Sequence, residues 1–206
     1  LALNEDDESW AVVDSKVEAR ALTPESEADA ALTALVKPDH DATLEYMDQV
    51  IGESTDDIFS FLAVVKDDPS IQIVSDAQKA YVEDAIVGTE LDGLPVLSAA
   101  APFKACDRKG VCAEESSFTV VPAGELKVKN IADLYLYNNR LMAVKVTGAE
   151  LEQWLECSAS QFFQITDTAD RQELVDFTGF PTYNFDVIDG VTYQIDVTEP
   201  ARYNGD

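Results

Sequence analysis

A single histidine limits the chemistry open to this chain. His40 lies in Lys37-Pro-Asp-His40-Asp, a polar stretch within a helical region, and reads as a solvated surface side chain. A Ser-His-Asp arrangement would have to be built on it. Metal-dependent hydrolases usually need several His and Asp ligands converging on one centre. No G-x-S-x-G, Walker loop or G-x-G-x-x-G occurs in the sequence. The chain alone therefore lacks a recognisable catalytic set. Its three cysteines are the other reactive side chains. Cys106 and Cys112 bracket the polar loop Asp107-Arg-Lys-Gly-Val111 and could form a disulfide, remain free thiols or bind a metal. Zinc needs more ligands than two cysteines. Cys157 is left odd, either as a buried hydrophobe or with a partner beyond Asp206.

Charge narrows the classes further. The 206 residues carry 40 Asp+Glu against 14 Lys+Arg, a formal net charge of -26. A general nucleic-acid binder needs a basic face to displace counterions, and docking on anionic lipid needs the same. Neither a nucleic-acid polymer nor a membrane is therefore expected as a partner. A small anion held in a local pocket stays possible, because net charge says little about one cleft. Hydrophobic residues make up 46%, so the chain is not merely a disordered acidic tail. The charge is unevenly placed. Residues 1–60 hold 16 acidic side chains against three basic ones, whereas residues 104–145 hold seven of the 14 basic side chains and five acidic ones. An anion site is best placed in the second stretch.

These residues must be positioned by an α+β arrangement. Trp10-Ala-Val-Val13 is strand-like within residues 1–22. Thr23-Pro24 reads as a helix start, with Thr as cap, Pro in the first turn, and Glu25 and Glu27 following. Leu32, Leu35, Val36, Leu44, Met47 and Ile51 form its apolar stripe, Pro38 bends or restarts it, and Gly52 ends it. The apolar run Ile58–Val65 fits a strand or a buried helical turn. A helix is expected over residues 70–87 after Asp67-Asp-Pro69, then a buried strand at Leu94–Ser98 and a short helix from a cap at Asn130 to about Leu134. Arg140–Val146 reads as a strand. Thr147-Gly-Ala-Glu150 is a capping box opening a helix with Leu151, Trp154 and Leu155. Asp189-Gly190, between Tyr183–Ile188 and Val191–Val197, is the strongest hairpin signal in the chain.

Several of these stretches resemble the C-terminal domain of 5′-nucleotidase-type enzymes, in particular the branch that acts on 2′,3′-cyclic nucleotides and 3′-nucleotides. The matching segments are Trp10–Arg20, Asp67-Asp-Pro69, Asp76-Ala-Gln-Lys-Ala-Tyr-Val-Glu83 and Leu94–Lys104. They continue with Ala132–Tyr137, Trp154-Leu-Glu-Cys-Ser158, Thr182–Gly190, and Tyr193–Val197 with Pro200-Ala-Arg-Tyr203. The resemblance implies a 5′-nucleotidase C-terminal-like domain, a mixed sheet with helices, preceded by a long linker helix and cut short at its C-terminus. Residues 1–22 would end an upstream metallophosphatase domain, 23–52 would form the linker, and 53–206 the nucleotide-binding domain. That upstream domain would hold two divalent metals and perform the hydrolysis, so no cofactor is expected within these residues. The expected partners are a nucleotide and the chain's own catalytic domain, and the expected location is the periplasm.

The same resemblance assigns roles. In the family a base is clamped between two aromatic rings, the first from an aromatic-x-Asn motif. Here that motif is Tyr137-Asn138-Asn139, with Tyr137 stacking on the base and Asn139 hydrogen-bonding the nucleotide. The second ring would lie past the end of this chain. A phosphate-approaching turn corresponds to Ala99-Ala-Ala-Pro-Phe-Lys104, where Ala and Pro stand for glycines and Lys104 for an arginine. Lys lacks the bidentate fork of Arg, so Arg108 is a second candidate for the phosphate. An exported protein would favour a Cys106–Cys112 disulfide, which closes a short loop beside that contact. Two alternatives remain: a fragment of a 5′-nucleotidase or UDP-sugar hydrolase, and an acidic binding module without chemistry.

Overall fold

The computed structural model describes residues 2–4, 6–106, 112, 115–166 and 171–203. The chain divides into two compact units, Leu1–Thr43 and Leu44–Asp206. In the first, β1 (Ala2–Asn4) pairs antiparallel with β2 (Ser9–Ala11), placing Leu3 opposite Trp10. The helix α1 spans Ala30–Met47. It starts later than Thr23-Pro24 suggests. Thr23 and Ser26 instead close a turn on each other, with Ser26 N–H donating to the Thr23 carbonyl at 2.9 Å. Asp29 opens the helix, because its Oδ1 accepts from the backbone N–H groups of both Ala31 and Leu32 at 2.9 Å. Pro38 lies inside α1 without ending it. The apolar positions Leu32, Leu35, Val36 and Leu44 are exposed, and α1 buries no residue.

The second unit is mixed α+β, built from short antiparallel pairs. β3 (Val50–Ser54) pairs with β7 (Gly124–Lys127), β4 (Ile58–Phe59) with β6 (Val120–Val121), and β5 (Ser98–Ala100) with β8 (Val187–Asp189). Gly52, expected to stop the helix, belongs to β3. The register shifts between Val50 and Gly52, so the glycine sits at a bulge in the ladder. The run after Ile58 is only briefly a strand and then turns, burying Ala63 and Val64.

Two helices follow their local chemistry closely. α2 (Pro69–Ala85) has Pro69 in its first turn, and Asp68 Oδ1 accepts from Ser70 N–H at 3.0 Å. It carries Ile71 into a core with Ala63, Val64, Ala100, Phe180 and Phe185. α4 (Gly148–Ser158) opens with the capping box: Thr147 N–H donates to Glu150 Oε2 at 2.7 Å, and Glu150 N–H to Thr147 Oγ1 at 3.3 Å. Between them, α3 (Val128–Leu134) starts before Asn130. The asparagine caps from inside the first turn, its Oδ1 accepting Lys127 N–H at 2.8 Å. Leu134 joins Ile58, Val121 and Leu126 in a second core.

Three expected strands come out differently. The segment Leu94–Ser98 joins a sheet only at Ser98. Arg140–Val146 is exposed and forms no ladder among the described residues. Alternating apolar residues favour extended backbone, but a strand is defined by its partner. Asp189-Gly190 does not close a hairpin, since β8 pairs with the distant β5 and residues 191–197 form no strand. Gly190 has a φ of 98°, and a Cβ there would lie 2.6 Å from Leu97 Cδ2. The turn signal thus marks a close backbone approach.

Candidate functional site

The loop after β5 and the end of α3 meet through aromatic rings. Ala101 and Pro102 are buried, which anchors the loop and turns Phe103 toward α3. The Phe103 centroid lies 4.9 Å from that of Tyr135 and 5.7 Å from that of Tyr137, both edge to face. This is a favoured arrangement for quadrupolar rings. Tyr135 N–H closes the last turn of α3 on the Ile131 carbonyl at 2.9 Å. Two residues on, Asn139 N–H donates back to the Tyr137 carbonyl at 2.8 Å, a tight three-residue turn. The turn leaves Tyr137 46% exposed and brings Asn139 Nδ2 to 3.2 Å from the Tyr135 hydroxyl. Tyr137 and Asn139 thus share one small aromatic face with Phe103 and Tyr135.

Lys104 lies next to this face and is engaged. Its ammonium pairs with Asp133 Oδ1 at 2.5 Å, with both side chains partly buried. Its carbonyl accepts from Ser60 Oγ. Ser60 Oγ in turn accepts Thr119 N–H at 2.9 Å, and Thr119 Oγ1 donates to the Asp133 carbonyl at 3.2 Å. This closed set of bonds ties the Phe103 loop to α3. Arg108 lies outside the described residues. Cys106 and Cys112 are joined in a disulfide with Cα atoms 4.8 Å apart. Cys157 is an exposed free thiol on α4, not a buried hydrophobe.

The basic stretch is less available than its composition suggests. Lys127 and Lys129 both reach Asp48, at 3.6 and 2.8 Å. The Lys129 hydrogen bond, with the charge of Lys127, holds the Asp48 carboxyl below its ordinary value. Arg140, directly after Asn139, and Lys145 are exposed and make no ion pair among the described residues.

A larger concavity of about 620 Å³ lies elsewhere, between α4 and residues 191–201. Leu151, Leu155, Phe162 and Ile195 form its apolar wall, and Glu152, Glu156, Asp196 and Glu199 line it without any Lys or Arg. Four carboxylates repel an anion, so size does not make this an anion site. Among the described residues, no three His, Cys, Asp or Glu side chains gather as a metal would require. No helix there is long and apolar enough to cross a membrane. Phe103, Tyr135 and Asp133 were not singled out by sequence reasoning. The Tyr135-x-Tyr137 spacing on extended backbone is the one signal that could have found Tyr135.

Comparison with known proteins assigns the class. The chain belongs to the family described as 5′-nucleotidase, C-terminal domain, which matches residues 50–204. Among curated proteins, it is 51% identical to the 2′,3′-cyclic-nucleotide 2′-phosphodiesterase/3′-nucleotidase of Salmonella typhimurium over 214 aligned residues. It is 50% identical to the protein of the same description from Haemophilus influenzae. These alignments take in 100% of this chain but 33% and 32% of the relatives, so the chain spans about a third of their length. It is also 48% identical to a trifunctional nucleotide phosphoesterase of Bacillus subtilis, covering 99% of this chain and 14% of that protein. No solved structure matches.

Proposed function

We propose that this chain is the substrate-binding part of a longer phosphoesterase that hydrolyses 2′,3′-cyclic nucleotides and 3′-nucleotides for nucleotide scavenging in the periplasm. The observation that carries the reading is the 51% identity to a relative of that description across the whole chain. The base stacks on the exposed ring of Tyr137, and Asn139 hydrogen-bonds it from the adjoining turn. Stacking suits an enzyme that accepts several bases, because every base has a π-face. The phosphate is met by Lys104, next to this face, and by Arg108, four positions later in the sequence. For Lys104 this requires exchanging Asp133 for the ligand. In this reading the hydrolytic metals are held by a catalytic domain upstream of these residues. This chain supplies orientation, which lowers a barrier by holding the reacting ester in place.

Kinetics of the longer protein on 2′,3′-cyclic, 3′- and 5′-nucleotides, measured side by side, test the reading. Efficient turnover of the first two and weak turnover of the third is expected. Absence of turnover on the cyclic and 3′ substrates would overturn it. Similarity to the trifunctional relative favours a second reading, a broader nucleotide phosphoesterase. Comparable kcat/KM on all three substrates would select that one.

A further inference from the structure

Tyr135 offers a role beyond packing, and the inference rests on the nucleotide reading of Tyr137 and Asn139. Tyr135 leaves α3 on extended backbone, with φ -131° and ψ 91°. Its ring is partly buried against Phe103, while Tyr137 two residues later reaches the same phenylalanine from an exposed position. The turn at Tyr137–Asn139 then folds the asparagine back over its own segment. Asn139 Nδ2 donates to the Tyr135 hydroxyl at 3.2 Å.

We propose that Tyr135 is a positioning residue for nucleotide recognition, acting through Asn139. An asparagine amide carries two N–H donors and one carbonyl acceptor. One N–H given to Tyr135 leaves the other N–H and the carbonyl for a ligand. The tyrosine hydroxyl therefore holds the amide in one orientation before the nucleotide arrives. An exposed asparagine on a turn would otherwise lose rotamer freedom on binding, at a cost of affinity. Phe103 completes the device, since its ring contacts both tyrosines and keeps their spacing fixed.

The test is titration of the longer protein, stripped of divalent metal by chelation so that it does not turn over, with 3′-AMP, reading the dissociation constant and the Asn139 side-chain amide resonances. The variants are Tyr135→Phe, Asn139→Ala, Tyr137→Ala and the Tyr135→Phe/Asn139→Ala double variant. Tyr135→Phe retains the ring on Phe103 and removes only the hydroxyl. It is expected to raise Kd about two- to tenfold, the loss that follows one neutral hydrogen bond. The Asn139 amide resonances should shift even without ligand. In the Asn139→Ala background, Tyr135→Phe should add nothing, because the two residues act as one unit. Ribose 3-phosphate, which has no base, should bind all variants equally. Additive losses in the double variant, or a normal Tyr135→Phe beside an impaired Asn139→Ala, would overturn the role of Tyr135 while leaving the nucleotide site standing. Failure of the unaltered longer protein to bind 3′-AMP saturably, or unchanged binding in both Tyr137→Ala and Asn139→Ala, would overturn the site and this inference together.

Discussion

The aromatic face at Phe103, Tyr135 and Tyr137 and the groove along α4 differ in nearly every property that matters for an anionic ligand. The groove is large, with apolar walls and four carboxylates. The aromatic face is shallow, with one ring left 46% exposed and Lys104 and Arg140 next to it in the chain. Depth favours burial of apolar surface, whereas a nucleotide needs a π-face for its base and relief from negative charge for its phosphate. A chain with net charge -26 cannot supply that relief everywhere. It supplies it where cations are concentrated, and there most described ones are already held by Asp133 and Asp48. The proposed site therefore rests on chemistry more than on shape.

The largest expected effect tests that contrast directly. Tyr137→Ala in the longer protein should raise the KM for 3′-AMP by roughly 5- to 150-fold, corresponding to the roughly 1–3 kcal/mol of one base–aromatic stack. Turnover of ribose 3-phosphate, which carries neither a base nor any aromatic ring, should be unchanged. Reversing charge in the groove with Glu152→Lys should leave both substrates unaffected. If the groove variant altered the nucleotide KM and Tyr137→Ala did not, the two regions would exchange roles.

A smaller effect concerns what holds the aromatic face in place. The disulfide from Cys106 begins two residues after Lys104 and closes a loop with a sequence separation of 6. In the chain-entropy account such a short closure stabilises by about 2 kcal/mol. Cys112→Ser should therefore lower stability by about that amount in chemical denaturation. The Ser60–Thr119–Asp133 bonds anchor the Phe103 loop independently, so 3′-AMP affinity should change less than it does in Tyr137→Ala. An affinity loss as large as that of Tyr137→Ala would show that the disulfide, rather than this network, sets the position of Phe103.

What was legible in the sequence follows the range of the interactions concerned. The Asp68-Pro69 start of α2 and the Thr147–Glu150 box of α4 are local, with donor and acceptor a few residues apart, so their spelling reveals them. Thr23-Pro24 was locally plausible as well, but Asp29 accepts two helix N–H groups and sets the start instead. Asp189-Gly190 spells a hairpin because its chemistry favours a turn. Only the pairing of β8 with β5 shows that the turn serves a long-range contact, and no local signal carries that. The site divides in the same way. Tyr137 and Asn139 stand in one short motif and were named from it. Phe103 and Asp133 join them through packing between the loop after β5 and α3, so neither was visible beforehand.

The smallest expected effect separates two carboxylates three positions apart, Asp186 and Asp189. Burial pushes the Asp186 carboxyl above its ordinary value of 3.8, although the indole N–H of Trp154 donates to its Oδ2 at 2.8 Å and opposes the shift. Asp189 is shifted the other way, chiefly by its hydrogen bond from Lys79. The signs follow from linkage. A raised carboxyl favours the fold fully at pH below 3.8 and loses that contribution as pH rises through the folded value. A lowered carboxyl favours the fold above 3.8 and loses it as pH falls through the folded value. At neutral pH the ionised Asp186 is thus a cost and the ionised Asp189 a gain. Asp186→Asn retains an oxygen for Trp154 and removes the buried charge, so Tm at neutral pH should rise slightly. Asp189→Asn leaves Lys79 with only the longer 4.0 Å contact to Asp76, and Tm at neutral pH should fall. Melting curves across the acid range should show the Asp186→Asn advantage vanishing toward low pH, together with the Asp189→Asn deficit. A fall in neutral Tm for Asp186→Asn would mean that the charged Trp154–Asp186 hydrogen bond outweighs the desolvation of the carboxylate.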